Sequence, residues 1–269
     1  MTINEVIQDR RLHEWAKFAP SDNQYVKYAE TVPWLIAAAR KIDDVYSCFA
    51  DARACLVYFS HDDYGDLCDS TSDLSKTYAK ISFLSNAVLK YAVSIDLSWQ
   101  VTWVYLHRFS FEDLMKGKYD DVLEDCKKPL LDTKLIDAIN GEIGGSQEYT
   151  KLSNLQHAYE NFSKTQEYQQ LRKIYNYIKH RGTLHFSDLG EQDDKMLFLV
   201  NGKKTPLLKK PEYTAQQMQD LLCSFHGEFE DFFDNIINLI IPPDYFDTSN
   251  IKEGDYNRVA TKIQYFLGL

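Results

Sequence analysis

The sequence predicts a mainly α protein: an antiparallel bundle of long helices, with a small β-hairpin inserted before the last long helix. Three observations carry this. Apolar residues recur at spacings of three, four and seven along several long runs, the pattern of helices with one buried stripe. Only 11 Gly and 7 Pro punctuate 269 residues, too few for a fold made of many tight turns. One Asn-Gly pair, Asn201-Gly202, stands between two β-prone arms and marks a hairpin.

In chain order, Ile3, Val6, Ile7, Trp15 and Phe18 predict one amphipathic helix over Ile3–Phe18, closed before Pro20. Ser21-Asp22 caps a short helix running to Tyr28. Thr31-Val32-Pro33 opens a longer one, with Thr31 as N-cap and Pro33 in the first turn, where its missing N–H costs nothing. Its stripe runs from Trp34 and Leu35 through Ile42, Phe49 and Leu56 to Phe59, and Cys48 and Cys55 read as small core residues beside it. His61–Asp69 is an acidic, solvated loop without the alternating ligands of a calcium loop. Ser72–Arg108 is the longest helical run, free of Pro and Gly. Within it Asp96 and Gln100 stand four apart among Ile95, Leu97, Trp99 and Val101. An isolated buried carboxylate is costly, so Asp96 either faces solvent or pairs with a cation from another helix.

Phe111–Met115 and Tyr119–Cys126 are short helices around Gly117, broken by Lys127-Lys128-Pro129; Asp132–Ile139 follows and stops at Asn140-Gly141. Gly144-Gly145-Ser146 reads as a surface loop. Gln147–Phe162 and Thr165–His180 are helices, and Leu171, Ile174, Tyr175 and Ile178 give the second a clear core stripe. Gly182 is its C-terminal stop. The hairpin runs Lys195–Val200, Asn201-Gly202, Lys203–Leu207, with Pro206 marking an edge strand. Thr214–Ile240 is the last long helix and Asp255–Leu267 a final amphipathic one.

The length suits one large domain or two small ones; we read a single domain over residues 1–269, with residues 1–70 as a candidate subdomain. A net charge of −10 lacks the global basic footprint of a nucleic-acid binder but leaves room for a local basic patch. Five cysteines without a C-x-x-C pair argue against a disulfide framework or zinc cluster and for a reducing compartment. The charged N-terminal stretch has no apolar signal region, and no run approaches the roughly 18 apolar residues of a membrane span. The expectation is a cytoplasmic protein with no membrane association, no metal and no cofactor.

The chemistry concentrates in Gln169–Phe186. Arg172, Asn176, Lys179 and His180 share one flank of the predicted helix, next to its core stripe; Arg181 and His185 follow. A neutral His can accept a proton near pH 7, and a neighbouring Arg can hold a phosphate through two parallel hydrogen bonds. Both at one helix end suit a phosphodiester or a nucleotide phosphate. The same cations also suit the negative end of a helix dipole, with Asp96 as a buried partner, so structural, binding and catalytic readings stay open.

The run Asn176–Gly182, NYIKHRG, resembles the HEPN-like helical superfamily, in particular bacterial branches whose late helix reads N-x-x-K-H-R-G. The segment IDLSWQVTW around Asp96 is similar to the earlier helix of those proteins, where an acid faces the basic motif. The resemblance covers about residues 72–240. It implies an HEPN-like core that engages a nucleotide or RNA phosphate, with Arg172, Asn176, Lys179, Asp96 and Gln100 as binding residues and a homodimer as the assembly. In its stronger form it implies metal-independent RNA cleavage, with His180 or His185 deprotonating a ribose 2′-hydroxyl and Arg181 stabilising the transition state. HEPN ribonucleases separate these two residue types by about four to six positions. Here three residues stand between Arg181 and His185, and seven between Arg172 and His180.

Two alternatives accompany this reading. One is a non-catalytic helical interaction protein whose basic cluster is structural. The other rests on Glu228, Asp231 and Asp234, one turn apart on the last long helix, which resemble half of the acidic motif that holds magnesium in all-α nucleotide pyrophosphohydrolases. Alternation of these acids with Phe229, Phe232 and Phe233 is also what any amphipathic helix shows.

Overall fold

The computed structural model describes residues 1–65, 72–190, 197–206 and 210–268. Side chains of 197–199, 203–206 and 267 are left out of the description. The end of the acidic loop, including Cys68, and the outer ends of the expected hairpin, Lys195-Met196 and Leu207, therefore lie outside the described residues.

The chain is mainly α. In order come α1 (Ile3–Gln8), α2 (Leu12–Trp15), α3 (Asp22–Tyr28), α4 (Pro33–Phe59), α5 (Asp73–His107), α6 (Phe111–Met115), α7 (Lys118–Glu124), α8 (Lys128–Gly141), α9 (Gln147–Lys164) and α10 (Gln166–His180). Four short strands follow: β1 (His185–Phe186), β2 (Leu197–Val200), β3 (Lys203–Pro206) and β4 (Glu212–Tyr213). Helices α11 (Ala215–Ile240) and α12 (Glu253–Leu267) complete the chain. Strands β2 and β3 pair antiparallel, Leu197 opposite Pro206 and Val200 opposite Lys203. Asn201 and Gly202 both take positive φ, 52° and 77°, the geometry that makes Asn-Gly a hairpin turn.

The fold divides into two compact units. The first comprises Met1–Asp9, Ala50–Ala92 and Thr165–Glu228; the second comprises Arg10–Phe49, Val93–Lys164 and Phe229–Leu269. Residues 1–70 are thus shared between the two units, and three of the five boundaries fall inside α4, α5 and α11.

In the first unit, Leu56, Leu84, Val88, Leu171, Ile174, Met218, Leu222 and Phe225 are buried and form the core. Tyr91 and His226 are buried with them, and the Tyr91 hydroxyl lies 2.8 Å from His226 Nδ1. The single helix expected over Ile3–Phe18 is interrupted. Asp9 turns extended (φ −63°, ψ 135°), and the Arg53 guanidinium reaches back to the carbonyls of Val6, Ile7 and Asp9 at 2.9, 2.9 and 3.1 Å. Three carbonyls that a continuing helix would bond are capped by one side chain 44 to 47 positions away.

The core of the second unit is aromatic. Trp15 packs against Phe49 and Phe233 with ring centroids 5.3 and 4.8 Å apart, Phe49 stacks on Phe229 at 4.8 Å, and Phe162 stacks on Phe232 at 4.2 Å. Offset-stacked and edge-to-face pairs of this kind add to the gain from area burial. Trp15 Nε1 donates to Asp234 at 2.6 Å, and Arg11 bridges Glu230 and Asp231, each at 2.6 Å. Helix α8 packs against α9, and begins at Lys128 rather than at Asp132, because Pro129 is accommodated in its first turn. The Tyr159 hydroxyl is buried between the Ser98 carbonyl and the Thr102 hydroxyl, 2.8 Å from each.

Candidate functional site

The basic motif ends α10, which lies wholly in the first unit. The helix starts on Thr165, whose hydroxyl accepts from the Tyr168 N–H at 3.3 Å. Of the expected apolar stripe, Leu171 and Ile174 are buried, whereas Tyr175 and Ile178 are half-buried. The helix stops where the glycine stands. The N–H groups of Arg181 and Gly182 both return to the Tyr177 carbonyl, at 2.8 and 3.2 Å, and Gly182 takes φ +142°, a region that disfavours other residues.

Past this stop the chain runs extended. His185 N–H donates to the Pro211 carbonyl at 3.1 Å, and β1 pairs in parallel with β4, His185 opposite Glu212 and Phe186 opposite Tyr213. Lys210 Nζ holds Thr183 Oγ1 at 3.0 Å, and Asp188 accepts the Ala215 N–H at 2.8 Å, neutralising the positive start of α11. This pairing was not foreseen from the sequence. It brings Pro211 and Tyr213 alongside α10.

The result is an open groove of about 650 Å³. Of the expected site residues, Asn176 and His180 from the polar flank and Arg181 just beyond it line the groove. Lys173, Ile174, Tyr177, Pro211 and Tyr213 complete its lining; of these only Ile174 was singled out from the sequence, as a core residue. Lys173 was legible in principle, being one turn before Tyr177, whereas Tyr213 reaches the groove only through the β1–β4 pairing. Lys173 and Arg181 put positive charge on this lining, and no carboxylate lines it among the described residues. Burial raises the Tyr213 phenol above its ordinary range, which keeps it neutral and able to donate a hydrogen bond.

The remaining expected site residues are not among those that line the groove. Arg172 and Lys179 approach the Tyr175 ring, at 5.3 and 5.7 Å from its centroid, and do not line the groove. His185 sits on β1, and its Nε2 is enclosed without a hydrogen-bond partner among the described residues. Asp96 and Gln100 are half-buried on α5 in the second unit. There the Cys126 thiol is pushed up to about 12 by burial, with the negative charge of Asp96 adding to the shift. Of the acids on α11, Asp231 is held by Arg11 and Asp234 by Trp15 in the second unit, while Glu228 is exposed in the first.

No helix among the described residues is long and apolar enough to cross a membrane. No protein-family model, curated protein or solved structure matches the chain.

Proposed function

We propose that the groove at the end of α10 binds the phosphate of a nucleotide or of single-stranded RNA. The observation that carries this is the convergence of Lys173, His180 and Arg181 with two tyrosines, Tyr177 and Tyr213, on one open cationic wall. Guanidinium and ammonium groups engage phosphate, and tyrosine faces stack on bases, a combination that suits unpaired nucleotides. The resemblance of NYIKHRG to the HEPN-like motif points the same way and adds a second copy of the chain as partner, while five cysteines without a C-x-x-C pair suit the reducing cytoplasm as the working place.

Cleavage is the stronger form of the proposal. His180 takes the proton of a ribose 2′-hydroxyl, the freed oxygen attacks the adjacent phosphorus, the phosphorus–O5′ bond breaks to leave a 2′,3′-cyclic phosphate, the departing 5′-oxygen takes a proton from water, and Arg181 stabilises the charge that gathers on the phosphoryl oxygens. The exposed, groove-lining position of His180 favours it over the enclosed His185 as the base. The test is nucleotide-induced thermal shift together with RNA cleavage, for wild type, His180→Ala and Arg181→Ala. Binding predicts a shift that Arg181→Ala removes. Cleavage predicts turnover that both variants lose. No shift and no cleavage by the wild type at high ligand refutes the binding reading.

A further inference from the structure

Helix α10 lines a second cavity, of about 630 Å³, with the earlier part of the same face. Gln166, Glu167 and Gln170 come from its first turns, and Gln217, Asp220 and Ser224 face them from α11. The two cavities share Lys173, Ile174 and Tyr213. Together they follow α10 from Gln166 to Arg181, a length of about 22 Å at the helical rise. Their chemistry is opposite: the Arg181 end offers cationic donors, whereas the Glu167 end offers carboxylate and amide acceptors. Glu167 Oε1 accepts from Ser224 Oγ at 3.0 Å, and Asp220 Oδ1 from Gln216 Nε2 at 2.7 Å. Each carboxylate has a second oxygen and further lone pairs to offer a ligand. Side-chain amides present a donor and an acceptor side by side, the pattern that reads a base edge, and carboxylates accept from exocyclic amines.

We propose that this second cavity selects the base. A nucleotide whose phosphate lies at Lys173 and Arg181 stacks its base on Tyr213 and directs an exocyclic amine toward Glu167 and Asp220, which favours adenine and cytosine over their oxo counterparts. The inference rests on the phosphate reading above and adds base selection to it.

The test is calorimetric titration of the full chain with AMP and IMP, which differ by an amine against a carbonyl at one ring position. Wild type is expected to bind AMP at least about tenfold more tightly, the discrimination of one well-made base contact. In the Glu167→Gln, Asp220→Asn double variant the ratio is expected to fall below about threefold, while Arg181→Ala weakens both ligands alike. CMP against UMP on wild type gives the same comparison without any substitution. Equal binding of AMP and IMP, with Arg181 dependence intact, overturns base selection and leaves the phosphate site standing. Absence of binding by AMP, IMP and pyrophosphate alike refutes the phosphate site and base selection with it.

Discussion

Replacing Tyr159 by Phe removes one oxygen atom from the interior of the second unit, and the structure sets the size of the effect. The hydroxyl donates to the Ser98 carbonyl at 2.8 Å, so the 2.8 Å contact with Thr102 must use the Thr102 hydrogen. Thr102, Ser98 and Tyr159 are all buried, so the variant leaves the Thr102 hydroxyl as a donor away from water. Such an orphaned group costs about 1–3 kcal/mol, and the ring contact with Phe232, centroids 5.3 Å apart, survives the change. A loss of about 2 kcal/mol is expected, read by urea denaturation, with a fall in Tm of about 4–8 °C. Adding Thr102→Val to the variant removes the orphan and restores about 1 kcal/mol of that loss. A loss under about 0.5 kcal/mol, or strict additivity of the two substitutions, refutes this account of the buried hydroxyl pair.

Three further outcomes follow from named contacts. Burial, and then the charge of Lys134, whose Nζ lies 2.7 Å from His107 Nδ1, lowers the His107 pKa in the folded state. The unfolded state therefore binds more protons as pH falls through about 6.5, so stability is lost in that acid window; His107→Gln is expected to flatten the decline in urea midpoints between about pH 7 and 5. Gly182→Ala forces a side chain into φ +142° and should lower stability by about 1–3 kcal/mol in the same assay; no loss would mean the glycine stop is dispensable. Thr165→Ala removes the cap on the Tyr168 N–H and should cost about 1 kcal/mol, read as earlier hydrogen exchange in the first turn of α10.

What was legible in the sequence is what local chemistry decides. The stripe of Leu171 and Ile174, the stop at Gly182 and the turn at Asn201-Gly202 depend on residues within one or two turns of each other, and all three stand where the pattern put them. The break at Asp9 was not legible, because its cause is Arg53, a residue distant in sequence that satisfies the helix-end carbonyls from outside. The candidate site divides in the same way. Asn176, His180 and Arg181 lie within a turn and a half of α10 and could be read together. Tyr213 reaches the same groove through a pairing two residues long, which leaves no periodic trace. Arg172 and Lys179 shared the helical flank in the pattern, yet helical spacing alone does not say that their long side chains turn toward the Tyr175 ring.

The central claim, that the groove holds phosphate, is tested most directly by the salt dependence of RNA binding. Anisotropy of a labelled single-stranded RNA is followed against salt for wild type and Arg181→Ala. Two to three phosphate contacts predict a slope of log affinity on log salt of about −1.4 to −2 for wild type. Loss of the Arg181 contact makes the slope shallower by about 0.7, with weaker binding at every salt concentration. The same slope and the same affinity in both proteins would contradict the claim.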